Sequence, residues 1–333
     1  MKERMLYMRR EPASSAVVIY LLAAGLALLP TRWLGELFFP DRANYAYMLG
    51  VGVLRLVFFG VVALLARQMG VRRVWLPGGS RADRLLCLPA LVIAVNNFPL
   101  VALFAGTAGV TDPVGALLFA VECIGVGLFE EAAFRALIFP FLLGRTGTGR
   151  RGRVIAVLLS SAMFGALHLV NLLGGFSLGV FLQVGYSFLI GCMLAVCMFR
   201  GAGALYCAFV HALFNFGGNL VTGARELGFG SFADIWCTEE VILTAVVGVA
   251  AIAYFVWALL TARPTAADRF AVFPPEPGTQ APSGQAPKDA SAQVPPEAGS
   301  PSSPEAEPTS FEAGLQAPPE GGMAEKRTKN KRK

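Results

Sequence analysis

The chain has only two histidines, His168 and His211, and both fall within apolar stretches that also hold Arg55, Glu122, Glu130, Glu131 and Arg135. An ionisable side chain at the centre of a membrane helix costs about 2.5–3.5 kcal/mol on insertion scales, so each of these groups needs a chemical reason for its place. Carboxylate, imidazole and amide groups, the last from Asn215, open three chemistries. They can hydrolyse a peptide bond, given a base for water, donors for the developing oxyanion and an acid for the leaving amine. A carboxylate and two histidines, here Glu130, His168 and His211, can hold a catalytic zinc. Buried acids and histidines can also relay protons or ions in a transporter.

Spacing narrows the roles. Adjacent glutamates point about 100° apart on a helix, so Glu130 and Glu131 cannot serve one pocket equally. Glu131 and Arg135, four residues apart, are placed to form an intrahelical ion pair. Glu130 then keeps no cation on its own face and is the better candidate for the general base. Counted from the arginines that flank the apolar stretches, Glu130 lies 15 residues from Arg145, His168 15 from Arg153 and Asn215 15 from Arg200. At 1.5 Å per residue each sits roughly 22 Å deep, with His211 about one turn shallower than Asn215. Three helices thus bring polar groups to one level. Glu122 lies two turns from Glu130 on roughly the same face, where it either lines an entrance or, as the safer reading, pairs structurally with Arg55.

The elements that must carry these residues are membrane spans. Of the 333 residues 55% are hydrophobic and only 15% charged, against about 25% charged in soluble domains, which excludes a water-soluble enzyme. Eight apolar stretches are long enough for spans or nearly so: 16–29, 45–66, 85–105, 114–143, 154–173, 178–199, 202–221 and 241–260. The expectation is an all-α, polytopic helical membrane bundle of about eight transmembrane helices. Residues 1–15 form a cytoplasmic N-terminus, 16–262 the membrane domain and 263–333 a tail. With the N-terminus inside, the inner segments collect fourteen Lys and Arg residues and the outer loops three, Arg32, Arg42 and Arg225. That bias predicts a multi-pass protein of the plasma or inner membrane with both termini cytoplasmic. A signal peptide at the first stretch is the alternative, but no clear small-residue cleavage site follows it.

The tail holds 13 of the 21 prolines and equal numbers of acidic and basic residues, with almost no large apolar groups to offset the entropy of ordering. It reads as disordered, with a basic end that can touch anionic lipid. The whole net charge of +6 therefore belongs to the membrane part, where it is an orientation signal and not a nucleic-acid footprint. Six cysteines without a CxxC spacing support neither a disulfide framework nor a thiolate metal cluster.

Taken in order, Glu130-Glu131-xxx-Arg135, Phe164-xxx-His168 and His211-xxx-Asn215 resemble the motifs of the CPBP intramembrane proteases, a family that includes the type II CaaX prenyl endopeptidases and bacterial relatives linked to bacteriocin processing. The resemblance spans residues 114–221, the motif core, and does not reach the tail. It implies that Glu130 activates water, that His168 orients or polarises it, and that His211 and Asn215 stabilise the oxyanion. Glu131 and Arg135 would support Glu130 from behind. Phe164 is expected to pack beside His168. The resemblance favours a metal-independent mechanism, with zinc on Glu130, His168 and His211 as the alternative. It implies a membrane-associated, prenylated or leader-peptide substrate. A non-catalytic membrane scaffold and an ion-coupled transporter are the competing functions; neither broken helices nor internal repeats are evident in the sequence to favour transport.

Overall fold

The computed structural model describes residues 11–71, 73–105, 112–176, 178–218 and 238–263. Among these, every regular element is helical. In chain order they are α1 (Pro12–Ala27), α2 (Arg32–Glu36), α3 (Ala43–Gln68), α4 (Arg81–Leu85), α5 (Pro89–Asn96), α6 (Leu100–Phe104), α7 (Pro113–Glu131), a π-helical segment (Ala132–Ile138), α8 (Phe139–Thr146), α9 (Arg150–Leu167), a 3₁₀ segment (His168–Gly174), α10 (Leu178–Arg200), α11 (Ala204–Gly218) and α12 (Thr238–Thr261). The protein is a polytopic helical membrane bundle. The expected tail, Arg263 apart, and residues 1–10 lie outside the described residues.

Among the described residues six helical stretches are long and apolar enough to cross a membrane: Pro12–Glu36, Ala43–Gln68, Pro113–Thr146, Arg150–Gly174, Leu178–Arg200 and Val241–Thr261. The other two of the eight expected stretches are described as shorter apolar helices. The stretch at 85–105 is broken into α5 and α6, because Pro89 and Pro99 each start a new helix and neither can donate to the turn before it. The stretch at 202–221 yields α11, an apolar helix of 15 described residues, and the expected positions 219–221 lie outside the described residues.

Within lipid the hydrophobic effect does not hold helices together, so close backbone approach and polar contacts must. Glycine provides the approach where α7 meets its neighbours. A Cβ on Gly125 would fall 2.5 Å from the Gly52 carbonyl oxygen of α3, and one on Gly127 would fall 2.8 Å from the Ala208 carbonyl oxygen of α11. These contacts set α7 between α3 and α11, with its last turn against His211.

Arginines supply the polar contacts, and they do so by satisfying carbonyls at helix C-termini, which have no intrahelical donor. Arg55 Nη1 and Nη2 donate to the Leu26 and Ala27 carbonyls at the end of α1, each at 2.9 Å. Arg153 donates to Leu260 and Ala262, and Arg200 to Ala258, at the end of α12. Arg200 Nη1 also bonds Asp83 Oδ1 at 2.8 Å. The Ser80 hydroxyl donates to Asp83 Oδ2 at 2.6 Å. That bond first, and the Arg200 guanidinium with it, hold the Asp83 carboxyl below its ordinary range. A depressed folded-state pKa gives stability that is complete above the unfolded value and disappears as pH falls through the folded one. Asp83→Asn is therefore expected to lower the thermal midpoint at neutral pH, with the gap to the wild type beginning to close near about pH 4 and closing fully only at still lower pH, checked by unfolding in detergent across that range.

Candidate functional site

Glu130 and Glu131 close α7, and the helix changes character immediately after them. Ala132–Ile138 is π-helical. Pro140 follows two residues later; it has no N–H to donate, and its ring crowds the carbonyl four residues back, a local condition under which a helix opens. Glu131 and Arg135, four residues apart across the start of this segment, share a face. Arg135 Nε lies 3.1 Å from Glu131 Oε2, and both side chains are wholly excluded from solvent. Arg135 Nη2 donates to the Gly191 carbonyl of α10 at 3.1 Å, and its guanidinium lies 4.7 Å from the centre of the Phe164 ring.

The second oxygen of Glu131 reaches a different helix. His211 Nδ1 lies 2.9 Å from Glu131 Oε1, and since a carboxylate paired with arginine only accepts, Nδ1 is the donor. This bond turns the other ring nitrogen outward: His211 Nε2 lies 3.9 Å from Glu130 Oε2, too far for a hydrogen bond. Glu130 Oε2 is buried and accepts no hydrogen bond from the described residues. His168 opens the 3₁₀ segment, and its Nδ1 lies 3.1 Å from the Phe164 carbonyl. A carbonyl can only accept, so Nδ1 carries the proton and Nε2 of the neutral ring is an acceptor. Phe164 is the wall between the histidines, its ring centre 5.4 Å from that of His168 and 5.6 Å from that of His211, with edges meeting faces.

Glu130, His168, His211 and Asn215 all line one cavity of about 490 Å³. Glu131 and Arg135 do not border it; they lie behind His211. Asn215 is positioned through its neighbour, since Asn97, at the break between α5 and α6, donates from Nδ2 to the Phe214 carbonyl at 2.7 Å. The broken third stretch thus has a use that its reading as a plain span missed.

Glu122 and Arg55 also line this cavity, but the expected pairing between them is absent. Among the described residues no ion pair joins them, because the Arg55 guanidinium is held by the carbonyls at the end of α1, and Glu122 Oε2 is buried without a hydrogen-bond partner. A carboxylate in that position does not stabilise the fold. Glu122→Gln is expected to leave the thermal midpoint within the roughly 2–4 °C that 1 kcal/mol moves a domain of this size; a structural ion pair would instead lose several times that.

The cavity has further polar lining that the motifs do not include: Tyr47, Asn171, Gln183, Tyr186 and Ser187. The signal for three of them was in the sequence, since Gln183, Tyr186 and Ser187 stand at i, i+3 and i+4 of an apolar helix and so share a face. Asn171, three residues after His168, donates from Nδ2 to Gln183 Oε1 at 2.8 Å and ties the 3₁₀ segment to α10. Among the described residues no three His, Cys, Asp or Glu side chains are grouped so as to hold a metal ion.

No curated protein and no solved structure matches the chain. A family model, described as type II CAAX prenyl endopeptidase Rce1-like, matches residues 112–217. That segment carries Glu130, Glu131, Arg135, His168, His211 and Asn215, and over it the chain is similar to the Rce1-like family, consistent with the CPBP resemblance of its motifs.

Proposed function

We propose that the protein is an intramembrane endopeptidase that cuts a membrane-associated peptide with a water activated by Glu130. The observation that carries this reading is the convergence of Glu130, His168, His211 and Asn215, from three separate stretches of chain, on one cavity. Glu130 takes a proton from the water, and the resulting hydroxide attacks the carbonyl carbon of the scissile bond. His168 Nε2, an acceptor by its tautomer, orients the water. His211, once its Nε2 is protonated, and the Asn215 amide donate to the oxyanion. Collapse of the tetrahedral intermediate breaks the C–N bond, and the amine leaves with the proton that Glu130 had taken. Glu131 and Arg135 fix the His211 ring and hence the direction of Nε2.

The test is a comparison of membrane peptides in cells producing the wild type and the Glu130→Gln variant, read by mass spectrometry. Intact peptides should accumulate, and cleaved products disappear, only with the variant. The reaction on this reading needs no metal. Cleavage by the purified protein is expected to continue in the presence of a strong chelator; stoichiometric zinc whose removal and return stops and restarts cleavage would assign Glu130, His168 and His211 to a zinc site instead.

A further inference from the structure

Every helix that lines the cavity does so with the half that lies away from the arginine-rich inner segments, Arg55 being an arginine of the cavity itself. α3 ends near Arg67 and contributes Tyr47 and Arg55 from its first half. The Pro113–Thr146 stretch ends at Arg145 and contributes residues only between Phe119 and Glu130. α9 begins at Arg150 and contributes Phe164 and Leu167 at its far end, continued by His168 and Asn171. α10 runs toward Arg200 and contributes from Gln183 to Ile190, and α11 begins just after Arg200 and contributes from His211 onward.

Among the described residues the two ends of the bundle also differ in closure. Residues 131–143 are buried without interruption between the cavity and Arg145. Arg153 and Arg200, 4% and 5% exposed, are bonded to the end of α12, and Arg200 also to Asp83. At the other end Tyr47 and Asn171, both lining the cavity, are exposed.

Short loops rich in Lys and Arg stay in the cytoplasm. From the joint placement of the arginines and the open end, we infer that the substrate reaches Glu130 from the non-cytoplasmic face. The substrate class is then a membrane-anchored peptide with its cleavable segment at the outer leaflet, and not a peptide offered from the cytoplasm. This rests on the peptidase reading for its substrate and on geometry and charge alone for the direction of access.

Two cysteine reporters at opposite ends of α9 and its extension test it in the full-length protein in cells: Leu173→Cys, at a residue 80% exposed, and Arg151→Cys, at an exposed residue of the arginine-rich end. A membrane-impermeant maleimide is applied to intact and to lysed cells, with the wild type giving the background of the native cysteines. Leu173→Cys is expected to label in intact cells and Arg151→Cys only after lysis; the reverse pattern overturns the inference. New peptide termini present with wild type and lost with Glu130→Gln are then mapped to a side of the membrane. Termini on the cytoplasmic side overturn the inference, while no difference in termini overturns the peptidase reading and leaves the labelling result to decide the direction of the cavity.

Discussion

Replacing Glu130 with glutamine is expected to reduce peptide cleavage by about 10²–10⁴-fold, the range that a positioned general base contributes, with little change in thermal stability. Both halves of this expectation follow from the surroundings of the carboxylate. Its Oε2 is buried and takes no hydrogen bond from the described residues, and His211 Nε2 stands 3.9 Å away. The amide therefore breaks no hydrogen bond at that oxygen, yet cannot accept a proton from water. Cleavage rate and unfolding midpoint measured on the same detergent-purified sample check both. The result also separates the function classes: a scaffold keeps its cellular effect in this variant, whereas an enzyme loses it while still assembling.

The opposite outcome is expected for the ion pair that starts one residue along, at Glu131. Arg135→Met strands the wholly buried Glu131 carboxylate without its cation, a change that typically costs about 3–5 kcal/mol. Unfolding in detergent should show a large drop in midpoint, and the yield of folded protein should fall with it. The double variant Glu131→Leu with Arg135→Met removes both charges and is expected to recover most of that stability, since well-packed apolar groups can replace a buried ion pair. It should not recover cleavage. Leucine offers nothing to His211 Nδ1, so the imidazole loses the 2.9 Å bond that fixes its tautomer and its aim. Recovered stability with recovered cleavage would mean that the pair holds the fold alone.

The difference between these neighbours explains what the sequence could and could not convey. The Glu131–Arg135 pair was legible because it is local, a matter of four residues on one helix. The gathering of Glu130, His168 and Asn215 was legible through depth, because spans anchored by arginines share a ruler. The same ruler set His211 one turn shallower than Asn215, which their four-residue spacing on α11 also gives, although the residues between Arg200 and Ala204 do not climb at the helical rise. The count from Arg145 likewise crosses a π segment whose rise differs from that of an α-helix. The break at Pro89 and Pro99 was visible as two prolines within an apolar run, and hydropathy outweighed it. The partners of Arg55 were not visible at all, because carbonyls at a helix end carry no side-chain signature.

The π segment also bears on how the chain tolerates changes in length. It accommodates one residue more per hydrogen-bonded turn than the α-helices on either side, so it can absorb or release a single residue while the flanking helices keep nearly their present rotation. Deleting Ala136 would let the ladder close into regular α geometry with Glu130 and Glu131 still turned toward His211, whereas one residue removed from the α-helical part of α7 would turn everything before it by about 100°. In this stretch the widened turn is slack in length, and the rest of the helix has none.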